Sequence, residues 1–165
     1  MLLSLVGVLA AALIWVVYGT LEMRIVTVGD RAPDFEVVTD KGRTVSVKNF
    51  GGKLLVLNFW ATWCPPCIEE IPSLNAFQTE MASKGVVVLG VSVDTNQEVY
   101  QRFLKTRGLA FQTSRDPEAA ISYSYGTVQY PETYIIDRSG RVIEKIISNQ
   151  NWMDPEFLTH INNLL

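Results

Sequence analysis

Leu54-Leu55-Val56-Leu57-Asn58-Phe59-Trp60-Ala61-Thr62-Trp63-Cys64-Pro65-Pro66-Cys67 carries both cysteines of the chain at the point where a strand runs into a helix. Leu54 to Phe59 is a short, nearly continuous apolar run, the pattern of a buried strand. Trp60-Ala61-Thr62-Trp63 reads as the turn, and Ile68 to Met81 has helical periodicity. The short spacer lets both sulfurs meet across the first helical turn and close into a small disulfide ring. Free N–H groups and the positive end of the helix dipole stabilise a thiolate there. Cys64 is therefore expected to be the exposed nucleophile, and Cys67, inside the helix, the resolving thiol. The pair reads as a thiol–disulfide exchange site.

Plainer readings fit less well. A structural disulfide normally closes a longer loop, because linking near neighbours constrains the unfolded chain little. A zinc half-site would need a full tetrahedral ligand set, and the chain offers 2 Cys and 1 His. That histidine, His160, falls in the last turns of a C-terminal amphipathic helix and reads as a surface residue. No metal and no cofactor beyond the Cys64–Cys67 redox disulfide are expected.

At 165 residues the chain has room for one domain, and 48% apolar content is ample for its core. The apolar residues are unevenly placed, with no charged side chain over 1–21. At ~1.5 Å per residue this stretch would reach ~30 Å, enough to span a bilayer. Trp15 and Tyr18 suit an interfacial position. The rival is a cleaved signal peptide, since Ala10-Ala11-Ala12 resembles a cleavage site, but the apolar run continues past it and no positive charge precedes it. The expected organisation is an anchor (or signal peptide) over 1–21, a linker over 22–30 and a globular domain over 31–165. Arg24 and Arg31, mixed with Glu22, Asp30 and Asp34, leave the orientation undetermined by charge. A site outside the cytoplasm follows from the use of a tethered dithiol where disulfides form. The net charge of −3 and the lack of a basic run exclude a nucleic-acid partner.

Further along, Glu36 to Thr39 and Arg43 to Val47 flank Asp40-Lys41-Gly42 as a hairpin. Lys84-Gly85 ends the redox helix, and Val86 to Val91 forms a second buried strand. Asn96 caps a helix through Thr106, and Asp116-Pro117 opens another from Glu118 to about Tyr125. Glu132 to Ile136 and Arg141 to Ile147 make a second hairpin, and Asp154-Pro155 starts the closing helix. The order β-α-β-α-β-β-α, with an extra N-terminal hairpin, describes an α/β fold with a mixed central sheet flanked by helices.

On these residues the chain resembles the thioredoxin superfamily, and more narrowly the membrane-anchored thiol–disulfide oxidoreductases of the TlpA, ResA and cytochrome c maturation (CcmG/DsbE) type. The match rests on Asn58 to Cys67 with Pro72 beyond it, on Gly126 and Tyr130 to Asp137, and on Gly29 to Phe35. It implies a thioredoxin-like fold from about Gly29 onward. It also implies that Pro131 is a cis-proline facing the dithiol, leaving the backbone of Tyr130 to pair with an extended substrate. Trp63, Tyr130, Pro131 and Glu132 become the expected substrate contacts. Asn58, Pro65, Pro66 and Pro72 shape the site, with Pro72 expected to kink the redox helix.

Asn58 stands where cytosolic thioredoxins carry a buried Asp, and an amide cannot take a proton. The resemblance instead implies Glu70 as the proton relay, on the helix face of Cys67, with Glu132 as a second carboxylate near the dithiol. Glu69 should face solvent. Negative charge beside the dithiol opposes the thiolate and favours a reductase over an oxidase.

Gly29 to Phe35 also resembles the opening of peroxiredoxins, but those place Thr three residues before the reactive cysteine, where this chain has Ala61. A copper-binding module would use a longer spacer and a distal His, and both are missing. The expected partners are protein thiol or disulfide substrates, apocytochrome c among them or else a broader extracytoplasmic set. A membrane dithiol carrier would donate electrons. The expected form is a monomer with a single pass through the bacterial inner membrane and its catalytic domain outside.

Overall fold

The computed structural model describes residues 2–21 and 25–165, with side chains described over 6–15 and 25–165. The first element is a helix, α1 (Leu2–Leu21), whose described side chains are exposed. Among the described residues no helix is long and apolar enough to cross a membrane. Residues 2–21 of the expected span form this helix, and Met1 lies outside the described residues. Residues 22–24 of the expected linker lie outside the described residues.

Two short strands, β1 (Glu36–Val38) and β2 (Thr44–Ser46), form the N-terminal hairpin. Gly42 at its turn has φ +75°, a conformation that costs glycine little. Then come β3 (Leu54–Trp60), α2 (Pro65–Met81), β4 (Val86–Ser92), α3 (Gln97–Arg107) and β5 (Gln112–Arg115). The chain closes with α4 (Ala120–Ser124), β6 (Glu132–Asp137), β7 (Val142–Ile147) and α5 (Pro155–Asn163). The main sheet has the order β5-β4-β3-β6-β7. Strands β3, β4 and β5 run parallel, and β6 and β7 are antiparallel to their neighbours.

All of β3 is buried, as a central strand covered on both faces should be. Leu55, Leu57 and Phe59 point toward Val45 and Val47 of the hairpin region, with Tyr134 and Ile136 of β6 on the same face. Leu54 and Val56 point the other way, toward Leu74, Phe77 and Met81 of α2 and Ile161 of α5. This alternation puts Asn58 on the α2 side, and the tight turn after β3 delivers Cys64 to the start of α2. Asn96 and Asp154 cap α3 and α5 by accepting from two backbone N–H groups each.

Several elements differ from the sequence reading. Strand β5 is added at the sheet edge. Helix α4 starts at Ala120 instead of Glu118, because the Asp116 carboxylate accepts from the N–H groups of Ala120 and Ile121 while Ala119 turns to φ +54°. Helix α2 runs on through Pro72, which sits on its exposed side. Part of the expected linker is stitched to β7: Gly29 N–H bonds Val142 O, Val142 N–H bonds Asp30 O, and Lys145 Nζ bonds Val26 O. Val26 is buried in the core.

Candidate active site

Cys64 is the N-cap of α2, with Pro65 and Pro66 in its first turn. Proline suits these positions because their N–H groups would have no helical partner. Cys64 and Cys67 are joined as a disulfide with Cα atoms 5.3 Å apart. The Cys67 N–H donates to Cys64 Sγ at 3.3 Å, which is the donor a thiolate on Cys64 would use. Both cysteines are more enclosed than expected: Cys64 is 5% exposed and Cys67 1%. The expectation of an exposed nucleophile is corrected accordingly. Trp60, Ala61, Ile71, Val93 and Tyr100 pack around the pair, with Tyr130 against them.

The Tyr130–Pro131 peptide is cis, as the resemblance implied. The Tyr130 carbonyl oxygen lies 3.5 Å from Cys64 Sγ. The Tyr130 hydroxyl meets Ser122 Oγ at 3.3 Å, so α4 braces this loop. Trp63 is 63% exposed and stands edge-on to the Tyr130 ring, with centroids 6.2 Å apart. Trp63, Tyr130 and Pro131 are therefore gathered beside the disulfide.

Glu70 shares the buried face of α2 with Cys67. Its Oε1 accepts from Asn58 Nδ2 at 2.9 Å, and its Oε2 accepts from Trp152 Nε1 at 3.0 Å. The second Asn58 amide hydrogen goes to Thr133 Oγ1 at 2.9 Å. Burial pushes the Glu70 carboxyl above its usual range, while the donors on Trp152, Asn58 and the Gln150 backbone pull it part of the way back. Glu69 is exposed, as expected, and accepts from Asn149.

Glu132 does not join Glu70. It neighbours Thr133 in β6, so its side chain lies on the opposite sheet face, where its Oε1 pairs with Lys145 Nζ at 2.7 Å. It is 3% exposed. Burial works against the Lys145 ammonium, yet the hydrogen bonds to Glu132 and Tyr134 hold its pKa above the usual lysine value. The pairing arises because Glu132 and Lys145 lie diagonally across adjacent strands. Neither a surface contact for substrate nor a relay beside Glu70 is offered by a carboxylate held this way.

Trp152, Lys145 and Asp94 were not singled out from the sequence. Trp152 precedes the cap of α5 and carries no local signature. Lys145 sits beside Glu144 in a strand run and reads as a solvent-facing residue. Asp94 had a signal, being the first charge after the apolar stretch of β4. His160 is exposed and bonds Glu144 at 2.7 Å. Among the described residues no cluster of three or more acidic, Cys or His residues could hold a metal.

The geometry has clear counterparts among known proteins. The AhpC/TSA family pattern matches residues 28–145. The thiol-disulfide oxidoreductase ResA of Bacillus anthracis is 34% identical over 123 residues, covering 74% of this chain and 71% of that one. The thioredoxin-like protein YneN of Bacillus subtilis is 36% identical over 150 residues, with 86% and 87% covered. A thiol:disulfide interchange protein of the thioredoxin family from Chlorobium tepidum superposes with a TM-score of 0.68 at 30% identity, covering 85% of this chain and 99% of that one. With a closed Cys-Pro-Pro-Cys pair at the head of α2 and a cis-proline across from it, the chain belongs to the AhpC/TSA thioredoxin-like family and is a thiol–disulfide oxidoreductase of the ResA-like kind.

Proposed function

We propose that this protein is a membrane-tethered reductase of protein disulfides outside the cytoplasm, and that apocytochrome c is among its substrates. The observation that carries the direction of the reaction is the setting of the dithiol: an apolar cluster around the sulfurs, with the buried carboxyl of Glu70 on the same helix face. Apolar surroundings and a nearby carboxylate both disfavour a thiolate. A reduced pair that is not stabilised as thiolate gives up its electrons readily, the opposite of the strongly oxidising members of this chemistry. Resemblance to the cytochrome c maturation branch supports the substrate, and the uncharged stretch over 1–21 supports the tether.

In the forward step Cys64 Sγ attacks a substrate disulfide, forming a mixed disulfide and releasing one substrate thiol. Cys67 Sγ then attacks Cys64 Sγ, releasing the second thiol and closing the pair. Glu70 accepts the Cys67 proton. A membrane dithiol carrier reopens the disulfide, taking it up in exchange.

Cys67→Ser removes the resolving thiol and should trap substrates on Cys64 as adducts that thiol reductants release. Adducts with proteins bearing Cys-x-x-Cys-His haem-attachment sites are the expected result. A trapped set without them, in cells that make c-type cytochromes, would leave the broader reductase reading in their place. Retention of the chain in membranes after carbonate washing tests the tether, and release of a shortened soluble form would identify a cleaved signal peptide.

A further inference from the structure

We propose that Asp94 is the positioning residue of the redox loop, its carboxylate clamping Thr62 and thereby setting Cys64 Sγ against the start of α2. The proposal rests on the thiol–disulfide exchange reading and assigns a part of that site which the cysteines and the cis-proline leave unexplained.

Between the end of β3 and the start of α2 the chain makes one tight turn, in which Cys64 N–H donates to Ala61 O at 3.2 Å. Such a turn leaves the N–H of its second residue, here Thr62, without a partner inside the turn. Asp94, which follows the end of β4, supplies one. Its Oδ2 accepts from Thr62 N–H at 2.9 Å, and its Oδ1 accepts from Thr62 Oγ1 at 2.6 Å. The Ser92 hydroxyl donates to the same Oδ2 at 2.6 Å and accepts from Asp94 N–H at 3.1 Å, which fixes the direction of the carboxylate. Val93 N–H bonds Trp60 O at 3.0 Å, so the strand pairing continues up to the clamp.

Asp94 is 3% exposed. Among the described residues its carboxylate forms no ion pair. The nearest guanidinium contact, from Arg115 Nη1, goes to the Asp94 backbone oxygen at 3.3 Å. Burying a carboxylate without a cation is unfavourable unless its oxygens are hydrogen-bonded, and here both are occupied, chiefly by Thr62. The group is thus fully committed to holding a loop two residues before the nucleophile. The Cys67 N–H to Cys64 Sγ contact is the distance that a displaced loop would lengthen.

The test uses the full chain in reduced form and reads Cys64 alkylation by iodoacetamide as a function of pH, together with insulin reduction. Thr62→Val removes the hydroxyl donor and keeps the Asp94 charge. Asp94→Asn keeps the shape and removes the charge. Both should move the alkylation profile to higher pH and slow insulin reduction by about tenfold, the scale of a lost charge-assisted hydrogen bond. Thr62→Ser, which restores the donor, should return both readings to wild type. Lower thermal stability with an unchanged profile would make the clamp merely structural and overturn the proposal. A profile moved to lower pH by Asp94→Asn, with Thr62→Val silent, would show a charge effect and overturn it equally. Should Asp94→Asn fail to fold, the Thr62 pair decides alone. A wild type that alkylates normally yet fails to reduce insulin would refute the reductase reading and leave the clamp to the alkylation profile.

Discussion

The indole N–H of Trp152 donates to Glu70 Oε2 across 3.0 Å, joining residues 82 apart in sequence beneath the dithiol. Glu70 is therefore held from two sides, by the C-terminal segment through Trp152 and by the central strand through Asn58. If Glu70 relays the proton of Cys67, Trp152 sets how readily it does so. Trp152→Phe keeps most of the apolar volume and removes a donor that favours the ionised carboxyl. The pH dependence of dithiol reactivity should move upward in this variant and lose its Glu70 component in Glu70→Gln. Matching profiles for Trp152→Phe and wild type would separate the indole from the relay.

The same carboxyl has a signature in stability. Burial raises Glu70 above the ordinary glutamate value of 4.5, so the folded chain holds this proton more tightly than the unfolded one. Its contribution is fully present below the unfolded value and is lost as pH rises through the raised folded value. Glu70→Gln does not titrate, so it should gain on wild type in thermal unfolding as pH climbs above 4.5. A difference in melting temperature that stays flat over this range would mean the carboxyl is not buried as described.

Removing Lys145 should be more damaging than removing the whole pair. Lys145→Met strands Glu132, whose side chain is 4% exposed, and a stranded buried charge costs roughly 3–5 kcal/mol. Lys145→Met with Glu132→Leu should recover much of that loss in urea denaturation. Equal losses in the single and double variants would contradict a buried, mutually dependent pair.

Gly90 is the place where β4 lets Trp60 come close. A methyl group there would meet Trp60 Nε1 at 2.8 Å and the Phe111 ring at 3.0 Å. Gly90→Ala should therefore destabilise by about 1–3 kcal/mol through overpacking. Because Trp60 also packs against the disulfide cluster, insulin reduction should slow as well. An alanine variant as stable as wild type would show that the indole can move aside freely.

Trp63 offers the reverse case, a large apolar side chain left 63% exposed beside the sulfurs. Trp63→Ala should barely alter stability and should raise KM for a protein disulfide while leaving reduction of a small aromatic disulfide unchanged. Equal effects on both substrates would move Trp63 from substrate contact to support of the loop.

Much of this architecture can be read from local pattern. Leu54 to Phe59 and Val86 to Val91 are apolar throughout because both faces of a central parallel strand are covered. Asn96 and Asp154 announce their helices because capping chemistry is local. Strand β5 escapes such reading, since Gln112-Thr113-Ser114-Arg115 sits at an edge and has no apolar alternation. At the site, the dithiol and the cis-proline are legible as motifs. The partners of Glu70, Glu132 and Thr62 are not, because each contact joins elements far apart in sequence and depends on which face of a strand or helix a side chain takes. Glu132 is the instructive residue. Its position beside Pro131 suggested company for Glu70, but one step along a strand turns a side chain to the other face, and there it found Lys145.

The seam between residues 26–30 and β7 has a consequence for how the enzyme would meet its partners. Leu21 ends α1, and Val26 is already fixed to the domain. Five Cα steps reach at most about 18 Å whatever their path. If the helix is held in a bilayer, the domain is on a short leash and cannot roam. Encounters with membrane-borne proteins then become a search within a thin layer, at an effective concentration on the order of millimolar. A leash of this length would let a modest intrinsic affinity for the electron donor suffice, while substrates arriving from solution would have to come down to the surface to be reduced.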